Sequence, residues 1–151
     1  MEKGKYGALV VAKWLIAWAH SENAPLSNMK LQKLLYYAQG HYLAKHDNPL
    51  FADRMEAWSH GPVVPTVYRK FKDAGSDDID LPDPKSFRWS SVDDETADLL
   101  MDVWGTYGIY AAWRLREMSH DERPWKEAFR PDESYIEITP AAIQRGFRAI
   151  V

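Results

Sequence analysis

Ser27-Asn28-Met29-Lys30-Leu31-Gln32-Lys33-Leu34-Leu35-Tyr36-Tyr37-Ala38-Gln39 is the stretch on which the fold turns. Pro25 breaks the chain just before it, and Ser27 stands where a hydroxyl can cap the first free N–H groups of a helix. Leu26 precedes that cap and Leu31 falls four positions into the helix, the spacing at which two apolar residues staple the chain entry. Leu31, Leu34, Leu35, Ala38 and Tyr42 recur at three- and four-residue steps and so form one apolar stripe. Lys30, Lys33 and Gln39 fall off its centre. Gly40 costs a helix interior about 1 kcal/mol relative to alanine, which predicts either a close helix contact or an early helix end.

Toward the N-terminus, Ala8 to Ala19 carries apolar residues on every side of the helical wheel, the pattern of a central helix. It contains Lys13, falls short of the ~17–25 residues a bilayer requires, and has no small-residue cleavage site behind a basic start. Toward the C-terminus, Asp47-Asn48-Pro49 marks a turn and Met55 to Ser59 reads as extended, within a short extended or β segment around 54–64. Pro65 suits the first turn of a helix whose Val64, Val67, Tyr68 and Phe71 share a face. A long polar loop follows at 74–90, punctuated by Gly75, Pro82 and Pro84. A further helix opens near Ser91 to Asp94, with Leu100, Val103, Trp104 and Tyr107 inward and Gly105 and Gly108 weakening its end. Tyr110 to Met118 resumes a helix with Ala111, Leu115 and Met118 on one side, Pro124 opens a short turn through Phe129, and Thr139-Pro140 caps a last helix to Ile150. Without repeats or composition shifts, the pattern predicts a mainly α, compact single-domain helical bundle over 1–151.

The 151 residues suffice to bury roughly 68–70% of the unfolded surface, so no metal or disulfide staple is needed. Cysteine is absent, which removes disulfide frameworks, zinc ribbons and thiol nucleophiles and fits a reducing, cytoplasmic setting. Nineteen basic against 22 acidic residues leave no overall positive field, so nucleic acid and membrane are disfavoured as partners. Seven tryptophans, eight tyrosines and five phenylalanines are many for one small domain, and some of these rings are expected to reach the surface as interface anchors.

Motifs that carry chemistry are sparse. There is no phosphate-cradling glycine loop, no G-x-G-x-x-G and no G-x-S-x-G elbow; Gly105-Thr106-Tyr107-Gly108 matches a nucleic-acid clamp in spelling alone and reads as a helix break. The five histidines, at 20, 41, 46, 60 and 120, make no i, i+4 pair. His46-Asp47 and His120-Asp121 echo metal-dependent phosphohydrolases without their further ligands. Asp77, Asp78, Asp80 and Asp83 lack the glycine and glutamate of a calcium loop. Composition and motifs thus predict neither a cofactor, a bound metal nor a catalytic residue.

Three blocks together resemble the Panacea domain, the family of SocA-like antitoxins that also takes in phage-associated proteins of the GepA type. The opening stretch matches the family's K-L-Q-K-L-L-Y core. Glu56-Ala57-Trp58, Gly61-Pro62-Val63-Val64-Pro65 and Val67-Tyr68 are similar to its E-A-W, G-P-V and V-Y succession, and His120 followed by Pro124-Trp125 to its C-terminal histidine and P-W. Ser59-His60 and His41 depart from the commoner family residues. The resemblance implies a helical, non-enzymatic, cytoplasmic antitoxin that neutralises a toxin protein encoded nearby by direct binding, with delivery of the toxin to a protease as a variant and self-association left open. The alternative from another class is a metal-dependent hydrolase using the histidines at 46, 60 or 120 with acids; DNA-binding autoregulation lacks a basic recognition helix.

The residues that carry the resemblance are the candidates for partner binding or for holding the family scaffold: Lys30, Leu31, Gln32, Lys33, Leu34, Tyr36, Glu56, Trp58, His60, Gly61, Pro62, Val63, Tyr68, His120, Pro124 and Trp125. For Lys30, Gln32 and Lys33 two readings stand open. Either they form a solvated face, or Lys30 or Gln32 turns inward to hold the Glu56–Trp58 backbone or the Gly61-Pro62 turn, since a buried lysine must be paired. Trp58 reads as a core tryptophan under that turn or as an anchor, and His120 as a turn-bonding histidine.

Overall fold

The computed structural model describes residues 4–81 and 84–150. Among them the chain forms seven α-helices: α1 (Ala8–Ser21), α2 (Asn28–His46), α3 (Pro65–Phe71), α4 (Asp94–Tyr107), α5 (Ala112–His120), α6 (Arg123–Ala128) and α7 (Pro140–Ile150). One antiparallel hairpin, β1 (Glu56–Trp58) with β2 (Gly61–Val63), lies between α2 and α3. The architecture is mainly α, as the periodicities predict.

The start of α2 is capped as expected, the Ser27 hydroxyl accepting from the Lys30 N–H at 3.2 Å. The helix runs unbroken through Gly40 and ends where Asp47 takes a left-handed conformation, φ 60°. Gly40 therefore marks a close contact and not an early end: the Phe147 ring of α7 occupies the space a Cβ would need.

The central helix is α2 and not α1. α2 packs against α1, α3, α4, α5, α7 and β2, whereas α1 contacts α2, α3 and two of the irregular turns. The reason is that α2 is buried on faces the stripe does not include: Asn28, Gln32, Lys33 and Gln39 are all interior. Lys33 and Gln39 lie off the centre of the apolar stripe and are buried all the same, because each long side chain reaches backbone of a neighbouring segment. Gln39 shows how, accepting from the Leu50 N–H at 2.8 Å and donating to the Phe51 carbonyl at 2.7 Å.

The hairpin pairs Glu56 with Val63 and Trp58 with Gly61 across a Ser59-His60 turn. A third extended segment, unforeseen in the sequence, flanks β1: Ala57 N–H donates to the Ile136 carbonyl at 2.9 Å and Ile138 N–H to the Met55 carbonyl at 2.8 Å. The stretch predicted as a polar loop at 74–90 is irregular but anchored. Single helical turns occupy Lys72–Ala74, Pro84–Ser86 and Trp89–Ser91, and Ile79 is buried with its N–H on the Leu26 carbonyl at 2.7 Å. Asp83 and Pro82 lie outside the described residues. α4 starts at an Asp93 cap bonded to the Thr96 N–H at 2.8 Å. α5 starts later than predicted, so that Ala111 is its exposed cap residue and Leu115 its buried one.

Candidate functional site

The three sequence blocks meet around one side of α2. Gln32 turns inward: its Oε1 accepts from the Val64 N–H at 2.9 Å, and its Nε2 donates to Asn28 Oδ1 at 3.0 Å. Asn28 in turn donates to the Tyr68 carbonyl at 3.1 Å, so one short network joins α2 to the hairpin and to α3. The Gly61-Pro62 turn is held by Lys33, which is 0% exposed and donates to the Pro62 carbonyl at 3.3 Å. Of the two lysines, then, Lys33 performs the task expected of Lys30. Gly61 has φ +115°, and a Cβ there would come within 2.5 Å of Lys33 Cε, so only glycine fits above the lysine stem.

Leu31, Leu34, Pro62 and Val63 are interior, and Tyr36 is buried with its hydroxyl on Glu122 Oε1 at 2.8 Å. Tyr37 donates to Glu122 Oε2 at 3.1 Å. Burial raises the Glu122 pKa above the usual carboxylate range, partly offset by the two hydroxyls, which favour the charged form. Glu56 accepts from Trp58 Nε1 at 3.0 Å and from Arg54 Nε at 2.9 Å, which fixes the half-buried Trp58 along its own strand β1. Trp125 Nε1 donates to the Trp58 carbonyl at 2.8 Å, and His120 stacks on Trp125 with centroids 3.9 Å apart. Pro124 is buried at the start of α6 and abuts Gly146 of α7. The blocks are therefore largely the bolts between α2, the hairpin, α3 and α6, with Lys30, Trp58, His60, Tyr68, His120 and Trp125 half-buried at the edges.

Two of these edges matter electrostatically. Lys33 is pushed down to about 7 by burial, with Arg116 adding repulsion. His60 and His120 are both held below their ordinary value, first by burial and then by the positive charges of Lys33 and Arg116. His60 Nδ1 and His120 Nε2 are buried without a hydrogen-bond partner. His46 is elsewhere, paired with Glu95 at 3.0 Å near the end of α2. Of the histidines a hydrolase would use, two converge, and they converge on cations. Among the described residues no group of three or more histidines and acids is gathered as for a metal ion, and no helix is long and apolar enough to cross a membrane.

The feature that the sequence did not single out lies next to α2. Lys30 Nζ donates to the Gly108 carbonyl at 2.6 Å and sits 5.5 Å from the Trp104 ring, pinning the link between α4 and α5. That link and the first turn of α5 present Ile109 and Trp113, 77% and 64% exposed, and Met29 at 36% is on the α2 side of the same tether. An exposed tryptophan four residues from an exposed isoleucine is visible in the sequence only once the helix boundary is known, because the inward face of the segment had to be assigned first.

A family model described as antitoxin SocA-like, Panacea domain, matches residues 31–126. Over 68 residues the chain is 46% identical to antitoxin SocA of Caulobacter vibrioides (strain NA1000 / CB15N), an alignment that takes in 45% of this chain and 36% of that protein. The chain thus aligns with about a third of the length of that curated relative. No solved structure matches. The matched residues run from the first turn of α2 into α6 and contain the whole network of Gln32, Lys33, the Gly61-Pro62 turn, His120 and Trp125. On that match, which spans more than half of its length, the chain belongs to the SocA-like antitoxin family of Panacea-domain proteins.

Proposed function

We propose that this chain, acting as one unit in the cytoplasm, is the antitoxin of a toxin–antitoxin pair and neutralises a toxin protein encoded nearby by binding it directly, without catalysis. Membership of an antitoxin family supports the class of function. The observation that carries direct binding is the exposed apolar set of Ile109, Trp113 and Met29, tethered to the family block by Lys30. Exposed apolar side chains of this size mark interaction surfaces, and tryptophan is over-represented among residues that dominate binding energy. The charged residues around it, Arg114 and Arg116, suit the rim of such an interface.

The test is co-expression with the adjacent reading frame. A stable complex and relief of toxicity are expected, both lost in Ile109→Ser/Trp113→Ala while the melting transition is kept. Absence of both complex and rescue with the wild-type chain would sink the proposal. Measuring the toxin's half-life with and without the chain distinguishes blocking, which leaves it unchanged, from delivery to a protease, which shortens it.

A further inference from the structure

Lys33 is the anomaly of the interior. It lies in the middle of α2, fully buried, and among the described residues its ammonium has a single hydrogen bond, to the Pro62 carbonyl at 3.3 Å. An ammonium carries three donors, and a buried charge is normally matched by an acid. None is present: no ion pair among the described residues involves Lys33 or the nearby Arg116. Arg116 of α5 adds a second positive charge beside it, and His60 of the hairpin and His120 lie within reach of both; the one acid felt here, Asp121, acts on His120 and not on Lys33. Two ring nitrogens, His60 Nδ1 and His120 Nε2, are likewise buried with no partner. Unpaired buried polar atoms are rare in folded proteins and call for an occupant.

A cleft of about 440 Å³ opens at this place, with Asn28, Gln32, Lys33, His60, Tyr68 and Ser76 among its walls and no acidic side chain among its lining residues. Gly61 leaves room for the stem of Lys33, which a side chain there would displace, while His60 reaches the cleft wall and His120 is not among its lining residues. Met29 lines the same cleft, so its mouth adjoins the exposed apolar set.

We propose that this cleft is an oxyanion site that takes a carboxylate or phosphate group, held through His60 and neutralising Lys33. Charge-assisted bonds to such a group would satisfy donors that the chain itself leaves unmet. The anion has two sources with the same chemistry: an acidic side chain of the bound toxin, which rests on the reading above, or a free small oxyanion, which does not.

The test starts with the chain alone. Inorganic phosphate and acetate are titrated near neutral pH at constant ionic strength, following the histidine ring resonances by NMR together with the melting temperature. Saturable shifts at His60 and His120, with His20 and His46 still, are expected, along with a higher melting temperature; Lys33→Met abolishes the shifts and His60→Gln weakens binding about tenfold or more. The second arm measures the toxin complex with phosphate or chloride present. Competition by phosphate assigns the cleft to an acidic side chain of the toxin; indifference of the complex, with phosphate still bound to the chain, assigns it to a free anion. The proposal is overturned if neither anion moves the ring resonances and both variants bind the toxin as tightly as the wild type. Saturable phosphate binding without any toxin complex would leave the oxyanion site standing and remove the antitoxin reading.

Discussion

The ring of Phe147 in α7 fills the position that a side chain at Gly40 in α2 would take. This one contact sets how closely the two helices approach, and α7 closes onto α2 along the same line through Gln144, whose Nε2 donates to the Leu43 carbonyl at 2.9 Å. Gly40→Ala gains up to about 1 kcal/mol of helix propensity and loses more to overpacking, so a net destabilisation of about 1–3 kcal/mol is expected in denaturant unfolding. Phe147→Leu in the Gly40→Ala background should recover part of that loss. A neutral Gly40→Ala would show that the two helices can separate at no cost.

Gln32 satisfies Asn28 and Val64 at once from a fully interior position. Gln32→Leu keeps the volume and leaves the Val64 N–H and the Asn28 Oδ1 unpaired, each costing about 1–3 kcal/mol. Stability is expected to fall by at least about 2 kcal/mol. In hydrogen exchange the Val64 amide should lose protection first, before the amides of α7.

Trp113 contributes almost nothing to the fold, being largely exposed. Trp113→Ala should change unfolding free energy by no more than about 0.5 kcal/mol. In titration calorimetry against the cognate toxin it should weaken binding by about tenfold or more, the cost of losing an interface anchor. Equal affinity for the variant would move the interface to another face.

Lys33 gives the fold a specific pH dependence. Its pKa is about 7 folded against 10.5 for the free side chain, so between these values the unfolded chain holds a proton the folded chain has released. Stability therefore rises with pH across that window, and the destabilisation is complete below about 7, where both states are protonated. The groups facing it, His60, His120 and Arg116, add no slope there: burial and positive neighbours lower the two histidines from 6.5, and an arginine stays charged. Wild type should gain on the order of 2 kcal/mol relative to Lys33→Met between about pH 7 and pH 9. Parallel stability curves for the two proteins would show that Lys33 is neutralised inside the fold, by a bound anion for instance, and the anion titration separates these cases.

What sequence alone determined is the list of helices and their inner stripes. Leu31, Leu34 and Leu35 are spaced for one face, Ser27 and Thr139 are placed to cap, and Pro65 and Pro124 open short helices; all of these are local choices of backbone and period, and all appear in the structure. The family resemblance was also legible, since its blocks are contiguous strings. What period cannot reveal is which helix lies in the middle. That depended on whether Gln32, Lys33 and Gln39 find partners on segments 11 to 32 residues away, which only tertiary contacts supply. The same holds for the candidate site. A lysine in a helix reads as solvated until the Gly61-Pro62 turn is seen to close over it, and nothing in the period of the segment singles out Ile109 and Trp113 until the start of α5 turns them outward. Local propensity chose the elements; the packing of one helix by six neighbours decided which polar groups were stranded inside and which apolar ones were left in water.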